Sequence, residues 1–204
     1  KFIKFENNDL KKINSEIKGF YFRYFVPKKL EKYNKILYLD SDTITLGDVS
    51  KIFNTKLDKT IAAIEEPLPP TQKKLYIGNA NLKRFNSGVL LINTRKFKSK
   101  NYLNKIINNS KIYKDKWGDQ PIVNFVFKND IKYISGKWNY LDKTNHRKVK
   151  QKVILHFNNF KPWIMNHNSK YVDLYRKYRR LIENFYFYDD INLKNIINNF
   201  KSHF

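Results

Sequence analysis

The sequence predicts an α/β domain built on a central, mainly parallel sheet. Short continuous apolar runs, the mark of strands covered on both faces, alternate with stretches of helical character. One of those runs, "ILYL", ends directly in Asp40 and Asp42, at the strand end where open α/β sheets place their ligands.

Taken in order, "KFIKF" alternates like a strand, and "KGFYFRYFVP" reads as a short aromatic helix stopped near Pro27. "KILYL" is the first buried strand. Asp48 then offers an N-cap to a short helix, "VSKIFN". "KTIAAIEE" is another buried strand. Pro67, Pro69 and Pro70 open a loop reaching to about residue 83. "SGVLLINTRKF" predicts a strand followed by a helix, entered through Asn93 or Thr94 and running to about Asn109. "GDQPIVNF" predicts a helix opened by Asp119, with Pro121 in its first turn, where the missing N–H costs nothing. "IKYIS" and "KVILHF" are short strands, and from Tyr171 the chain reads as helical, basic and aromatic. No internal repeat interrupts this order.

Composition excludes several classes. The 204 residues suit one core, no apolar run is long enough to span a bilayer, and the start does not read as a signal peptide. With no cysteine there are neither disulfides nor thiolate metal sites, which fits a reducing, cytosolic setting. The formal charge of +23 has two readings: a polyanionic partner, or drift toward the Lys- and Asn-rich codons of an AT-rich genome. Neither G-x-G-x-x-G nor a P-loop occurs, nor does H-E-x-x-H or G-x-S-x-G, so any phosphate must be held by side chains or a metal.

In a chain this poor in acids, Asp40 and Asp42 stand one residue apart. In an extended segment both carboxylates point to one side, close enough to share a cation, and hard oxygen donors suit Mn or Mg. Taken singly, D-x-D is equally compatible with two solvated acids. His156, directly after the apolar run "KVIL", is a candidate third ligand, with a satisfied core histidine as the plainer alternative. Lys161 of "KPW" follows closely and can neutralise an anion.

"YFRYFVP", "ILYLDSDTITLGDVSKIF", "FNSGVLLINTRKF", "WGDQPIVN" and "VILHFNNFKPW" occur in the order and approximate spacing of glycosyltransferase family 8, which the chain resembles over roughly residues 20–165. The resemblance implies a GT-A fold, a UDP-sugar donor, manganese (or magnesium), and transfer of a hexose with retention of configuration to a glycan or lipid-linked oligosaccharide. It places Asp40, Asp42 and His156 on the metal. Arg23, Asn86, Asp119, Asn159 and Lys161 fall on the donor sugar and diphosphate, and Gln120, with Asp119, falls beside the reacting anomeric carbon. It divides the chain into a catalytic domain over 1–165 and a basic, aromatic helical segment over 166–204. The chain departs from the family pattern in three respects, the least of them Ser87, where many members have alanine. It has H-x4-K with Asn159 where the family has H-x5-K with glycine, and it starts after the family's first strands, so an N-terminally incomplete domain is expected.

Two rivals stand beside this reading. "YLDSDTIT" also resembles the start of a haloacid-dehalogenase-like phosphatase, which leaves "FNSG", "GDQ" and "KPW" without a role. A basic module binding nucleic acid or an anionic surface would use the charge and the aromatics, but its acids at a strand end would repel phosphate. The transferase reading expects no nucleic-acid partner. It expects the basic stretch 171–188 to lie on an anionic membrane, at the inner face of the cytoplasmic membrane.

Overall fold

The computed structural model describes residues 11–15, 18–66, 83–112, 118–141, 149–158, 161–163 and 171–188, with side chains to residue 182. The expected strand "KFIKF", most of the proline loop and Asn159 lie outside them. The chain divides into two compact units, Lys1–His156 and Phe157–Phe204.

The first unit is built on a four-stranded sheet in the order β1-β4-β3-β5: β1 Lys35–Leu39, β3 Ile61–Ile64, β4 Val89–Asn93 and β5 Ile131–Ile134. A second sheet, ordered β2-β7-β6, comprises β2 Thr43–Thr45, β6 Tyr140–Leu141 and β7 Ile154–His156. The α/β class is as expected, but the sheet is mixed rather than mainly parallel. β4 runs antiparallel to both β1 and β3, and in the larger sheet only β3–β5 is a parallel pair among the described residues. The misreading has a physical source. An apolar run such as "VLLI" reports burial on both faces, and β4 has that burial irrespective of strand direction.

Period-two alternation distributes β3 and β4 between two cores. Ile61, Ala63, Leu90 and Ile92 face a cluster with Tyr24, Phe25, Phe97, Ile106, Val123 and Phe127. Ala62, Val89 and Leu91 face another with Ile52, Leu57, Trp138, Val153 and Ile154. The first cluster is closed by helices α1 Phe22–Lys29, α2 Thr94–Ser99, α3 Tyr102–Ile112 and α4 Gln120–Phe127.

Local chemistry accounts for the ends of these elements. Asp48 caps a 3-10 helix, Val49–Asn54, through the Ser50 amide, and Asn93 caps α2 through the Lys96 amide. Helix α1 does not stop at Pro27 but continues two residues past it. The Leu30 amide donates to Val26 O at 2.9 Å, so the proline, which has no N–H, costs one internal bond and not the turn. The helix expected from Asn93 to about Asn109 is broken between α2 and α3 at Asn101, whose φ of 55° is a left-handed value that asparagine tolerates.

In the second unit, helix α5 spans Val172–Tyr188, within the stretch from Tyr171 that the sequence reads as helical. Phe157 and Trp163 both contact the Tyr175 ring, at centroid distances of 6.0 and 6.1 Å. No helix among the described residues is long and apolar enough to cross a membrane.

Candidate active site

Strand register assembles the site. β1 delivers Asp40 just past its end, where the Asp40 amide still donates to Gly88 O at 2.8 Å. β2 starts at Thr43, opposite His156 of β7, so Asp42 and His156 meet at the margin of the second sheet. His156 Nε2 lies 3.2 Å from Asp42 Oδ1 and 3.9 Å from Asp40 Oδ2. One donor atom from each of the three residues falls within 4.8 Å of the others. Asp42 and His156 are buried, and Asp40 is partly open to solvent.

Gly88 makes the closeness possible. A Cβ built there would lie 2.1 Å from His156 Cε1 and 2.9 Å from Asp40 Oδ2, far inside contact distance, so the imidazole occupies space that only glycine leaves. Two carboxylate oxygens and an imidazole nitrogen are a donor set that fits Mn, with Mg tolerating the nitrogen less well.

Arg23 joins this corner to the next. Its guanidinium contacts Asp40 at 3.1 Å and Asp119 at 3.6 Å, and donates to Ser87 O at 2.7 Å and Ser87 Oγ at 3.0 Å. Burial works against its charge, yet Asp119, with Tyr24 and Asp40, raises its pKa above the ordinary value, so it stays a cation. Burial pushes the Asp119 carboxyl above the usual carboxylate range, against the pull of Arg23 and of the Tyr24 hydroxyl that donates to it. Tyr38 donates to Asp40 Oδ1 at 2.7 Å. Gly118 adopts φ 77° beside Asp119, with the Phe20 ring where a Cβ would stand.

A chain of amides extends from the histidine. His156 Nδ1 lies 2.9 Å from Asn139 Oδ1, and Asn139 Nδ2 donates to Asn86 Oδ1 at 2.9 Å. Asn86 Nδ2 reaches Glu66 Oε1 at 3.4 Å, and Gln120 Nε2 donates to Glu66 Oε2 at 2.5 Å. The carboxamide of Asn124 braces the neighbouring backbone, bonding both the Phe85 amide and the Phe85 carbonyl.

Arg23, Asp40, Asp42, Asn86, Asp119, Gln120 and His156, singled out from sequence, are therefore linked by direct contacts or through one intervening side chain. Lys161 belongs to the second unit, where its ammonium donates to Phe157 O at 3.1 Å. Sequence reasoning missed Gly88, Glu66 and Asn139. Gly88 was legible as the glycine of "FNSG". Glu66 and Asn139 are polar residues at strand ends whose roles arise from pairing between distant segments.

The model for "Glycosyl transferase family 8" matches residues 1–167. The chain belongs to glycosyl transferase family 8. Among curated relatives, it is 26% identical to glycosyltransferase GlyB of Streptococcus pneumoniae, over 88% of this chain and 47% of that protein. It is also 26% identical to the lipopolysaccharide 1,2-glucosyltransferase of Escherichia coli, over 72% of this chain and 49% of that protein. The chain thus spans about half the length of these relatives. A solved galactosyltransferase, LgtC, crystallised with donor and acceptor sugar analogues, superposes with a TM-score of 0.72 at 21% identity, covering 87% of this chain and 73% of LgtC. That likeness shows the fold, which is the GT-A glycosyltransferase fold.

Proposed function

We propose that this family 8 chain carries the active site of a retaining hexosyltransferase, which moves galactose or glucose from a UDP-sugar to a glycan or glycolipid. The observation that carries the proposal is the convergence of Asp40, Asp42 and His156 within 4.8 Å, on a backbone where Gly88 is the only residue type that leaves room. The lipopolysaccharide glucosyltransferase and LgtC, both hexosyltransferases by description, support the substrate class.

Asp40, Asp42 and His156 would hold the divalent cation, which supplies charge stabilisation to a departing diphosphate when bound. The protein's own part is positioning and electrostatics. Arg23, kept charged by Asp119 and Asp40, sets a fixed positive group beside the metal corner, where leaving-group charge develops. Lys161 is assigned to the diphosphate, and Asn159, which stands where the family has glycine, to the same donor-binding segment. Asn86, Asp119 and Gln120 are assigned to the donor sugar, with Glu66 holding both amides in place. Gln120 is a poor nucleophile, so departure and attack on the same face explain retention better than a covalent adduct.

We further propose that α5 rests on an anionic membrane from the cytoplasmic side, where a lipid-linked acceptor resides. Arg176, Lys177 and Arg180 are exposed on that helix, as are Leu181 and Ile182.

Hydrolysis of a panel of UDP-sugars, followed as UDP release with and without Mn, tests the function. Metal-dependent release from UDP-galactose or UDP-glucose is the expected result. Release that ignores the metal, or turnover of an aryl phosphate in its place, would overturn it and favour the phosphatase reading.

A further inference from the structure

The direction of hydrogen bonding through the buried amides can be deduced, because one end is fixed by backbone. The Gly88 amide donates to Asn86 Oδ1 at 2.9 Å, and a backbone N–H can only donate. Asn86 Oδ1 is therefore an acceptor, and the atom of Asn139 that meets it must be Nδ2. Turning Asn139 over would set two carbonyl oxygens against each other. Its Oδ1 accordingly faces His156 Nδ1, which must carry a proton, so Nε2 is the ring nitrogen that faces Asp42 and Asp40 and the one a cation would take. The far side agrees: Asn86 Nδ2 and Gln120 Nε2 both meet Glu66, a carboxylate that can only accept.

We propose that Asn139 is a positioning residue of this site: it holds His156 in the Nδ1–H tautomer, aimed for a cation, and ties that histidine to the Asn86–Glu66–Gln120 chain on the sugar side. The role as metal positioner rests on the transferase reading; the tautomer does not.

Three observations support it. Asn139 is fully buried, with 0% exposure, and both ends of its amide are engaged by site residues. It immediately precedes β6, whose Leu141 pairs with His156, so the strand period brings Asn139 onto the histidine. Gly88 serves the same histidine twice, as the donor that sets the polarity of the chain and as the gap that admits the ring. An unrestrained imidazole in water favours the opposite tautomer, Nε2–H, which would turn a proton toward the carboxylates and block the ligand atom.

The test begins with wild-type protein free of metal. Long-range proton–nitrogen spectra of the full chain labelled with nitrogen-15 histidine, recorded at about pH 8 where an ordinary imidazole is neutral, report the tautomer. His156→Ala identifies the signal. A proton on Nδ1 is expected, alone or together with one on Nε2 facing the carboxylates, and a bare Nδ1 with the proton on Nε2 only would overturn the proposal without need of any variant. Manganese titration in the presence of UDP, read by electron paramagnetic resonance, supplies the second readout. Asn139→Ala should weaken binding by about 10- to 100-fold. Asn139→Asp should recover most of that loss, because its carboxylate also accepts from Nδ1–H, while donor-sugar turnover stays impaired, because the donor to Asn86 is gone. Wild-type manganese affinity in Asn139→Ala would also overturn the proposal. Wild-type protein that binds no manganese, yet shows the Nδ1–H state, would sink the transferase reading and leave the tautomer assignment standing.

Discussion

Gly88 shows how much of the site depends on single positions. The methyl group of Gly88→Ala would have to displace the His156 ring, which is buried and held at Nδ1 by Asn139. Overpacking of this kind costs about 1–3 kcal/mol. We expect a lower thermal midpoint and, because relief requires the ring to swing off the carboxylates, weaker manganese binding. Wild-type values for both in calorimetry would contradict the geometry. The residues legible in sequence were those with a chemical signature of their own: the acids of "DSD", the histidine ending an apolar run, the amide and carboxylate of "FNSG" and "GDQ". Asn139 and Glu66 carry no such signature. An asparagine beside a tryptophan and the second of two glutamates look like ordinary surface residues until the strands pair.

Asp130 plays a comparable part in joining elements. It stands at the start of β5 and accepts from the Thr60 amide at 3.0 Å, the Thr60 hydroxyl at 2.6 Å, Lys100 at 2.8 Å and Tyr102 at 2.6 Å. One carboxylate thus pins β3, β5 and the start of α3. Burial works to raise its pKa, but the bonds from Lys100, Thr60 and Tyr102 prevail and hold it at about 2, below the ordinary 3.8. A folded-state pKa below the unfolded one stabilises the fold above the unfolded value, and that contribution is lost as pH falls from about 4 toward 2. Asp130→Asn should cost about 1–3 kcal/mol at neutral pH, with the difference from wild type shrinking across that acid range. Urea unfolding at several pH values measures it; a constant difference would refute the assignment. The elements themselves were largely readable, since capping by Asp48 and Asn93 and the burial of β3 and β4 follow from local composition. Strand direction was not, because two-sided burial produces the same apolar run in a parallel or an antiparallel strand. Nor was the break at Asn101, which depends on one left-handed residue inside an otherwise helical stretch.

At the scale of the whole molecule, the formal charge of +23 and the exposed Arg176, Lys177 and Arg180 of α5 set an expectation for surfaces. Each basic residue near an anionic bilayer contributes about 1 kcal/mol. Sedimentation with phosphatidylserine vesicles should retain the full chain at low salt, and replacement of those three residues by glutamine should reduce retention at least about tenfold. Equal partitioning of the two proteins would remove α5 from the membrane proposal. The fold as a whole was legible because the family's motifs recur in order along the chain, and the same order brings residues from β1, β7 and the start of α4 into one site.

Manganese titration of the full chain, followed by electron paramagnetic resonance with and without UDP, interrogates that site without needing an acceptor. Asp40, Asp42 and His156 offer three protein donors, too few to fill the shell of a hard divalent ion, and under the proposed function a diphosphate replaces water at some of the remaining positions. Manganese uptake should be weak alone and strong with UDP, and about 100-fold or more weaker in the Asp40→Asn, Asp42→Asn double variant. UDP-enhanced manganese binding that survives in the double variant would contradict the assignment of Asp40 and Asp42 to the metal.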